Sequence, residues 1–209
     1  MSDLLPIFPL PNVVLFPNVH LPLHIFESRY REMVGDALDA DRVIGMVLLR
    51  PGWQRDYEGR PAVYPVGCSG LITHVERLDD GRYNIMLRGL ERFRIVQENL
   101  ERRYRRALVD PLPECALTAA DRAVIQTQRA KLEALLAPSA KVTGSDPRTA
   151  AVPDDELVNA LAQYLDLEPV EKQALLEQDN LRCRAESLVE LLEMKIIMAR
   201  MPTAPEISH

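Results

Sequence analysis

Few residues in this 209-residue chain stand at spacings that do chemistry. Gly67-Cys68-Ser69-Gly70 sets a hydroxyl among glycines. The exposed nucleophile of a strand-to-helix turn needs Gly-x-Ser-x-Gly, which this run lacks. A strand bend accounts for it, because glycines inside strands mark bulges. His20 and His24 are four apart, a spacing that can hold a metal on one face of a helix or, more loosely, of a strand. Pro22 between them demands extended backbone. They are read as structural or surface histidines, and no metal and no cofactor are expected. Asp154-Asp155-Glu156 needs no ion either, since acids suit the positive end of a helix dipole. Neither Gly-x-x-x-x-Gly-Lys-[Ser/Thr] nor Gly-x-Gly-x-x-Gly occurs, so no nucleotide cradle is legible. Nothing assembles a nucleophile, a base and an orienter, and no catalytic residue is expected.

Two other groups point to binding. Arg88, Arg92, Arg94, Arg102, Arg103, Arg105 and Arg106 face only Glu91, Glu98 and Glu101 over the same stretch. One reading is an anion or RNA contact on a β-barrel rim. The favoured one is solvated strand faces with internal pairs to Glu27 or to acidic helices. The use of Arg rather than Lys suits pairs of fixed geometry, because a guanidinium fork matches a carboxylate. Trp53 and Tyr57 lie in a loop over residues 51–61. An aromatic loop of this kind marks a protein-binding surface, unless Trp53 folds back onto the sheet.

The elements that must position these residues follow from composition and periodicity. Hydrophobic residues make up 47% and charged residues 27%. That balance excludes a wholly disordered chain, a collagen-like repeat and a multi-span membrane protein. Up to Asp110 there are 15 arginines, no lysine and 15 acidic residues, so the whole net charge of −6 falls after Pro111. The break suggests two structural units, and the acidic half argues against broad nucleic-acid binding. Cys68, Cys115 and Cys183 are far apart, which fits a reduced, cytoplasmic setting. Pro interrupts the apolar N-terminus too often for a signal peptide or a membrane span.

Short strands are expected over 4–8 and 13–16, with a turn at Asn18. A helix over 27–38 carries Tyr30, Met33, Val34, Ala37 and Leu38 on one face. Strands are expected over 42–49, over 63–78 with bends at Gly67 and Gly70, over 83–87 and 91–96 as separate pieces, and over 104–109. This series reads as a small β-barrel or curled sheet. After Pro113 the pattern is helical. One helix starts at Thr118 with Asp121 as its capping box and stops by Pro138. A mobile loop is expected over 138–153. A second helix starts at Asp154 with Leu157, Val158, Leu161 and Leu165 inward. A short third runs from Pro169 to Leu176, and a fourth is capped by Asn180. The fold class is therefore α+β, a β-barrel with one helix followed by a helical bundle.

Pro9-Leu10-Pro11, Val14-Leu15-Phe16-Pro17, Leu21-Pro22-Leu23-His24-Ile25-Phe26-Glu27 and Arg29-Tyr30-Arg31 resemble the N-terminal substrate-binding domain of the ATP-dependent Lon protease. Val66-Gly67, Gly70-Leu71-Ile72, Asp80-Gly81-Arg82-Tyr83-Asn84-Ile85 and Gly89-Leu90-Glu91-Arg92-Phe93-Arg94 continue the resemblance, with weaker motifs after Leu112. Asn18 stands where that family commonly has glycine. The resemblance implies a PUA-like β-barrel over residues 1–112, a helical bundle over 113–201 and a frayed tail over 202–209. The ATPase module and the Ser–Lys peptidase dyad of that protease have no counterpart in these residues. What is implied is a non-catalytic module that binds unfolded or apolar polypeptide segments, an adaptor in protein quality control beside a protease or chaperone partner. RNA or nucleotide binding through the barrel is the alternative. Ile7, Phe8 and Leu10 are candidates to line a peptide groove, Arg92 and Arg94 to contact its carbonyls or carboxylates, and Trp53 and Tyr57 to border it. Glu27 is expected to serve structure at a helix N-terminus.

Overall fold

A computed structural model describes residues 4–57, 59–140 and 152–200. The chain runs β1 (Leu5–Leu10), β2 (His20–Ile25), α1 (Ser28–Leu38), β3 (Val43–Leu48), β4 (Val66–Arg77), β5 (Tyr83–Asn99) and β6 (Arg105–Leu112), with one 3-10 turn at Trp53–Asp56. Helices α2 (Ala119–Ala140), α3 (Asp154–Tyr164), α4 (Pro169–Leu176) and α5 (Leu181–Arg200) follow. The strand order is β2-β5-β4-β3-β1-β6, and β6 also pairs with β5. That extra pairing closes five strands into a ring, with β2 attached to the outer half of β5. The result is an α+β fold whose sheet is not a clean barrel.

The prolines of β1 explain its place. Backbone groups of successive strand residues point to opposite neighbours. The Leu10 carbonyl accepts from Leu49 N, so even-numbered residues face β3. Pro6 would face β3, but that ladder begins at Ile7↔Gly45. Pro9 would face β6, but that ladder ends at Ile7↔Arg105. Each missing N–H falls where no ladder bond is due, which lets a proline-rich strand sit inside a sheet.

The β5 region, expected as two pieces, is one strand of 17 residues. Its first half pairs with β2 and its second with β6. A register shift against β4 between Cys68 and Gly70 absorbs the bend, so the ladder need not break. The expected strand over 13–16 does not form. Val14, Leu15 and Phe16 are instead buried, and Phe16 N donates to the Gln163 side chain at 3.0 Å. A helix side chain replaces a strand partner there. Asn18 turns the chain at φ 62°, a conformation that Asn tolerates.

In α1 the buried residues are Tyr30, Met33, Val34 and Ala37, as the period predicts. Of the expected face of α3, Val158 is buried and Leu161 and Leu165 pack half-buried against the core, but Asn159, Ala162 and Gln163 are buried beside them. Asn159 and Gln163 go inside because they bond backbone carbonyls at and just before β2, Asn159 at Pro17 O (3.1 Å) and Gln163 at His20 O (3.0 Å). Helix α2 runs two residues past Pro138. Residues 141–151 of the expected loop, and the expected tail over 202–209, lie outside the described residues. Thr118 and Asp121 cap α2 reciprocally, with Asp121 N donating to Thr118 Oγ1 at 3.2 Å. Asn180 Oδ1 accepts from Cys183 N at 3.0 Å. Asn180→Ala is expected to cost about 1 kcal/mol in urea unfolding.

One apolar core joins both halves: Phe8, Phe16 and Leu87 from the sheet side belong with Ile125, Val158 and Leu188 from the helices. Ile7, Val47, Phe93 and Ala107 form a smaller cluster within the ring.

Candidate functional site

The first turn of α1 is built around Glu27. It holds the N-cap position without a side-chain capping bond to the helix backbone, so its carboxylate is free for other work. Glu27 Oε1 accepts from the Tyr57 hydroxyl at 2.5 Å, and Oε2 accepts from Arg29 Nε at 3.0 Å. The Arg29 guanidinium lies 4.7 Å from the Tyr30 ring centroid and 5.2 Å from that of Tyr57. Trp53 meets Tyr57 edge-on at 5.4 Å. The aromatic loop is thereby pinned to the start of α1 by one carboxylate and one arginine.

Beside this cluster opens a cleft of about 470 Å³ between the start of α1, the residues Tyr57, Gly59, Arg60 and Pro61, and the start of β6. Its size is that of a small-ligand site. Pro9, Leu49 and Pro61, each buried, show it a small apolar floor, and Arg29, Arg60, Arg103 and Arg105 supply cations, so most of its open surface is polar. Arg105 is buried and donates to Glu98 Oε1 at 2.9 Å and to the Pro61 carbonyl. Arg60 bonds two backbone carbonyls, Asn99 O at 3.3 Å and Arg102 O at 3.0 Å. Arg103 is exposed and has no partner among the described residues.

Burial sets the protonation states here. It pushes the Tyr30 phenol up to about 12, against the opposing pull of Arg29. Tyr57 is raised by desolvation and by its bond to Glu27. Tyr104 reaches about 12 through burial and its bond to Asp36 (2.7 Å). A phenol whose folded pKa lies above its unfolded value near 10 stabilises fully below pH 10, and that contribution fades as pH rises through 12. Stability is expected to fall between pH 10 and 12, with phenolate absorbance rising in the same window. Tyr30→Phe is expected to flatten that fall, as read by thermal unfolding at each pH.

Of the residues singled out from sequence, Tyr57 lines the cleft and Trp53 borders it through Tyr57. Leu10 is half-buried beside the lining residue Pro9. Ile7 and Phe8 are closed into the core, Phe8 against Tyr30 with ring centroids 4.5 Å apart, because both faces of β1 are covered. Arg92 is buried too. It donates to Leu176 O (3.1 Å), Gln178 O and Asp179 O (3.1 Å), gathering the end of α4 against the sheet. Arg94 is exposed, opposite Asp110 in the β5–β6 ladder.

The rest of the arginine set disperses. Arg102 lies near Glu32 and Asp36, Arg106 pairs with Glu101, and Arg88 reaches Asn18. The expected partner of Glu27 among them is replaced by Arg29. Neither Arg29 nor Arg60 stands out as a site residue from sequence, though the Arg29-Tyr30-Arg31 run beside Glu27 is a usable signal. Ser69 Oγ is held in the sheet by Glu91 O at 3.0 Å. Burial pushes the neighbouring Cys68 thiol up to about 12, which leaves it a poor nucleophile. Among the described residues no group of three or more His, Cys, Asp or Glu could hold a metal ion. Nor is any described helix long and apolar enough to cross a membrane.

Comparison with known proteins agrees with this architecture. The family described as the ATP-dependent protease La (LON) substrate-binding domain matches residues 4–194. Lon protease 2 of Myxococcus xanthus is 29% identical over 201 residues, covering 93% of this chain and 24% of that protein. A Lon protease of Anaeromyxobacter dehalogenans is 26% identical over 195 residues, covering 91% and 23%. The chain thus spans about a quarter of the length of these relatives. Among solved structures, the N-terminal domain of Mycobacterium avium complex Lon protease superposes with a TM-score of 0.69 at 18% identity, over 91% of this chain and 98% of that one. A Lon N-terminal domain protein from Xanthomonas campestris gives 0.58 at 22% identity, over 96% and 99%.

Proposed function

The chain belongs to the LON substrate-binding domain family, and on that premise we propose that it is a non-catalytic module that captures unfolded or apolar polypeptide segments. It would act as a cytoplasmic adaptor in protein quality control, holding clients for a protease or chaperone partner. The observation that supports this best is the cleft at the start of α1. It combines a small apolar floor, a neighbouring aromatic pair and arginines, and it holds its shape through the Glu27–Tyr57–Arg29 cluster. Capture of varied clients needs apolar area for affinity and a few polar donors for orientation.

The test is fluorescence anisotropy with labelled apolar peptides and an unfolded protein. Saturable binding is expected, weakened roughly tenfold by Tyr57→Ala, a loss of about 1.4 kcal/mol. Absence of saturable binding to every probe would sink the reading. RNA binding has less support, since Arg92, Arg102, Arg105 and Arg106 already serve internal partners. Titration with structured RNA at low salt is expected to show no binding with a steep salt slope.

A further inference from the structure

We infer that the cleft at the start of α1 reads a carboxylate: it takes the C-terminal end of a polypeptide, with the terminal carboxylate on the arginines and the last side chain against the apolar floor. This rests on the reading of the chain as a polypeptide binder and specifies which part of a client it grips.

Charge within the cleft favours an anion. Arg29 is matched by Glu27 and Arg105 by Glu98. Arg60 meets only carbonyl oxygens, and Arg103 meets nothing among the described residues. Among the described residues the lining therefore carries two cations without a carboxylate. In a cleft with protein walls such charges attract an anion more strongly than on open surface.

Donor geometry favours a carboxylate. Guanidinium forks suit the two oxygens of a carboxylate. The cleft already shows the pairing, since the Glu27 carboxylate is held between a tyrosine hydroxyl and an arginine. Ser28 and Arg29 line the same space at the first turn of α1, where backbone N–H groups have no partner within the helix.

The remaining lining discriminates among anions. Pro9, Leu49 and Pro61 give the cleft an apolar floor that inorganic phosphate would not use. Glu27 also repels a dianion more than a monoanion. A volume near 470 Å³ admits the last residues of an extended chain and excludes a folded surface or a nucleic-acid duplex.

The experiment uses the full chain and two labelled ten-residue apolar peptides of one sequence ending in leucine, one with a free carboxylate and one amidated. At low salt the acid form is expected to bind roughly tenfold more tightly, the scale of one charge-assisted hydrogen bond. Arg103→Gln is expected to narrow that gap, and its exposed side chain, without a partner among the described residues, makes a folding defect an unsuitable explanation. Lys131→Gln, an equal charge change away from the cleft, is expected to keep the gap. Equal binding of both peptides overturns the carboxylate inference while the polypeptide-binding reading stands. A gap that survives Arg103→Gln and Arg60→Gln overturns it as well. Binding of neither peptide overturns both readings. Inorganic phosphate displacing the acid peptide at lower concentration than acetate reassigns the cleft to phosphate and overturns the proposal.

Discussion

Arg184→Met is expected to destabilise the protein by about 3 kcal/mol and to lower its melting temperature by about 10 °C. Arg184 is fully buried, and all its nitrogens are engaged. Nε donates to Leu175 O at 3.1 Å, Nη1 to Asn159 Oδ1 at 2.9 Å and Nη2 to Glu114 Oε1 at 2.7 Å. These partners come from the end of α4, from α3 and from the connection between β6 and α2, so one side chain on α5 ties three segments. Burial pulls its pKa down, and Glu114 opposes that pull. Methionine fills similar volume but leaves the Asn159 oxygen without its donor and the Leu175 carbonyl with only the Gln178 N–H at 3.4 Å. Each such loss costs about 1–3 kcal/mol. Removing a buried cation recovers desolvation energy, which keeps the total near the lower end of that sum. Glu114 is one-third exposed and still lies 3.4 Å from Arg92, so its stranding adds little. Urea unfolding measures the effect. A loss under about 1 kcal/mol would show that water replaces these bonds at little cost.

Gly89→Ala is the second large effect, expected at about 3 kcal/mol. A Cβ on Gly89 would stand 2.0 Å from the Phe16 carbonyl oxygen and 3.2 Å from Pro17 Cα. Both are backbone atoms, so no rotamer change relieves the clash. The segment over 16–19 is locked there by Asn18 N to Gly89 O and Gly89 N to Val19 O, each 2.9 Å. Shifting it would disturb Phe16, which is fully buried. Gly35→Ala supplies the contrast. Nothing lies within 4 Å of the point where its Cβ would stand, and the residue sits inside α1. Alanine there is expected to stabilise by about 0.5–1 kcal/mol, because it restricts the unfolded chain and suits a helix. Opposite signs at two glycines in chemical denaturation would separate close approach from helix propensity.

Much of the fold was legible because its signals are local. The spacing of Tyr30, Met33, Val34 and Ala37 is a property of one helix, and the caps at Thr118 and Asn180 are closed within three residues. Pro169 marked the start of α4 for the same reason. The strand expected over 13–16 failed because its apolar residues bury without a ladder, Phe16 N meeting Gln163 and the adjacent Pro17 carbonyl meeting Asn159 about 140 residues on. Those polar residues looked like the outer face of α3. Their burial follows from backbone atoms that no helical period reports.

The candidate site divides the same way. Glu27 at a helix start, the aromatic loop with Trp53 and Tyr57, and an arginine excess could all be read from residue types. Which arginine remains available could not. Arg92 and Arg105 are adjacent in kind to Arg103, yet burial and long-range acceptors occupy the first two and leave the third exposed.

The sequence by itself determined the family, the α+β class and the periodic faces of the elements, since these depend on neighbours within a turn or a strand. Only the tertiary structure decided that β6 closes the sheet on β5, that Ile7 and Phe8 are core, and that residues near positions 28, 60 and 104 share one cleft. A hydrogen bond or an ion pair is fixed by where its partner arrives in space, and long-range chain closure alone sets that.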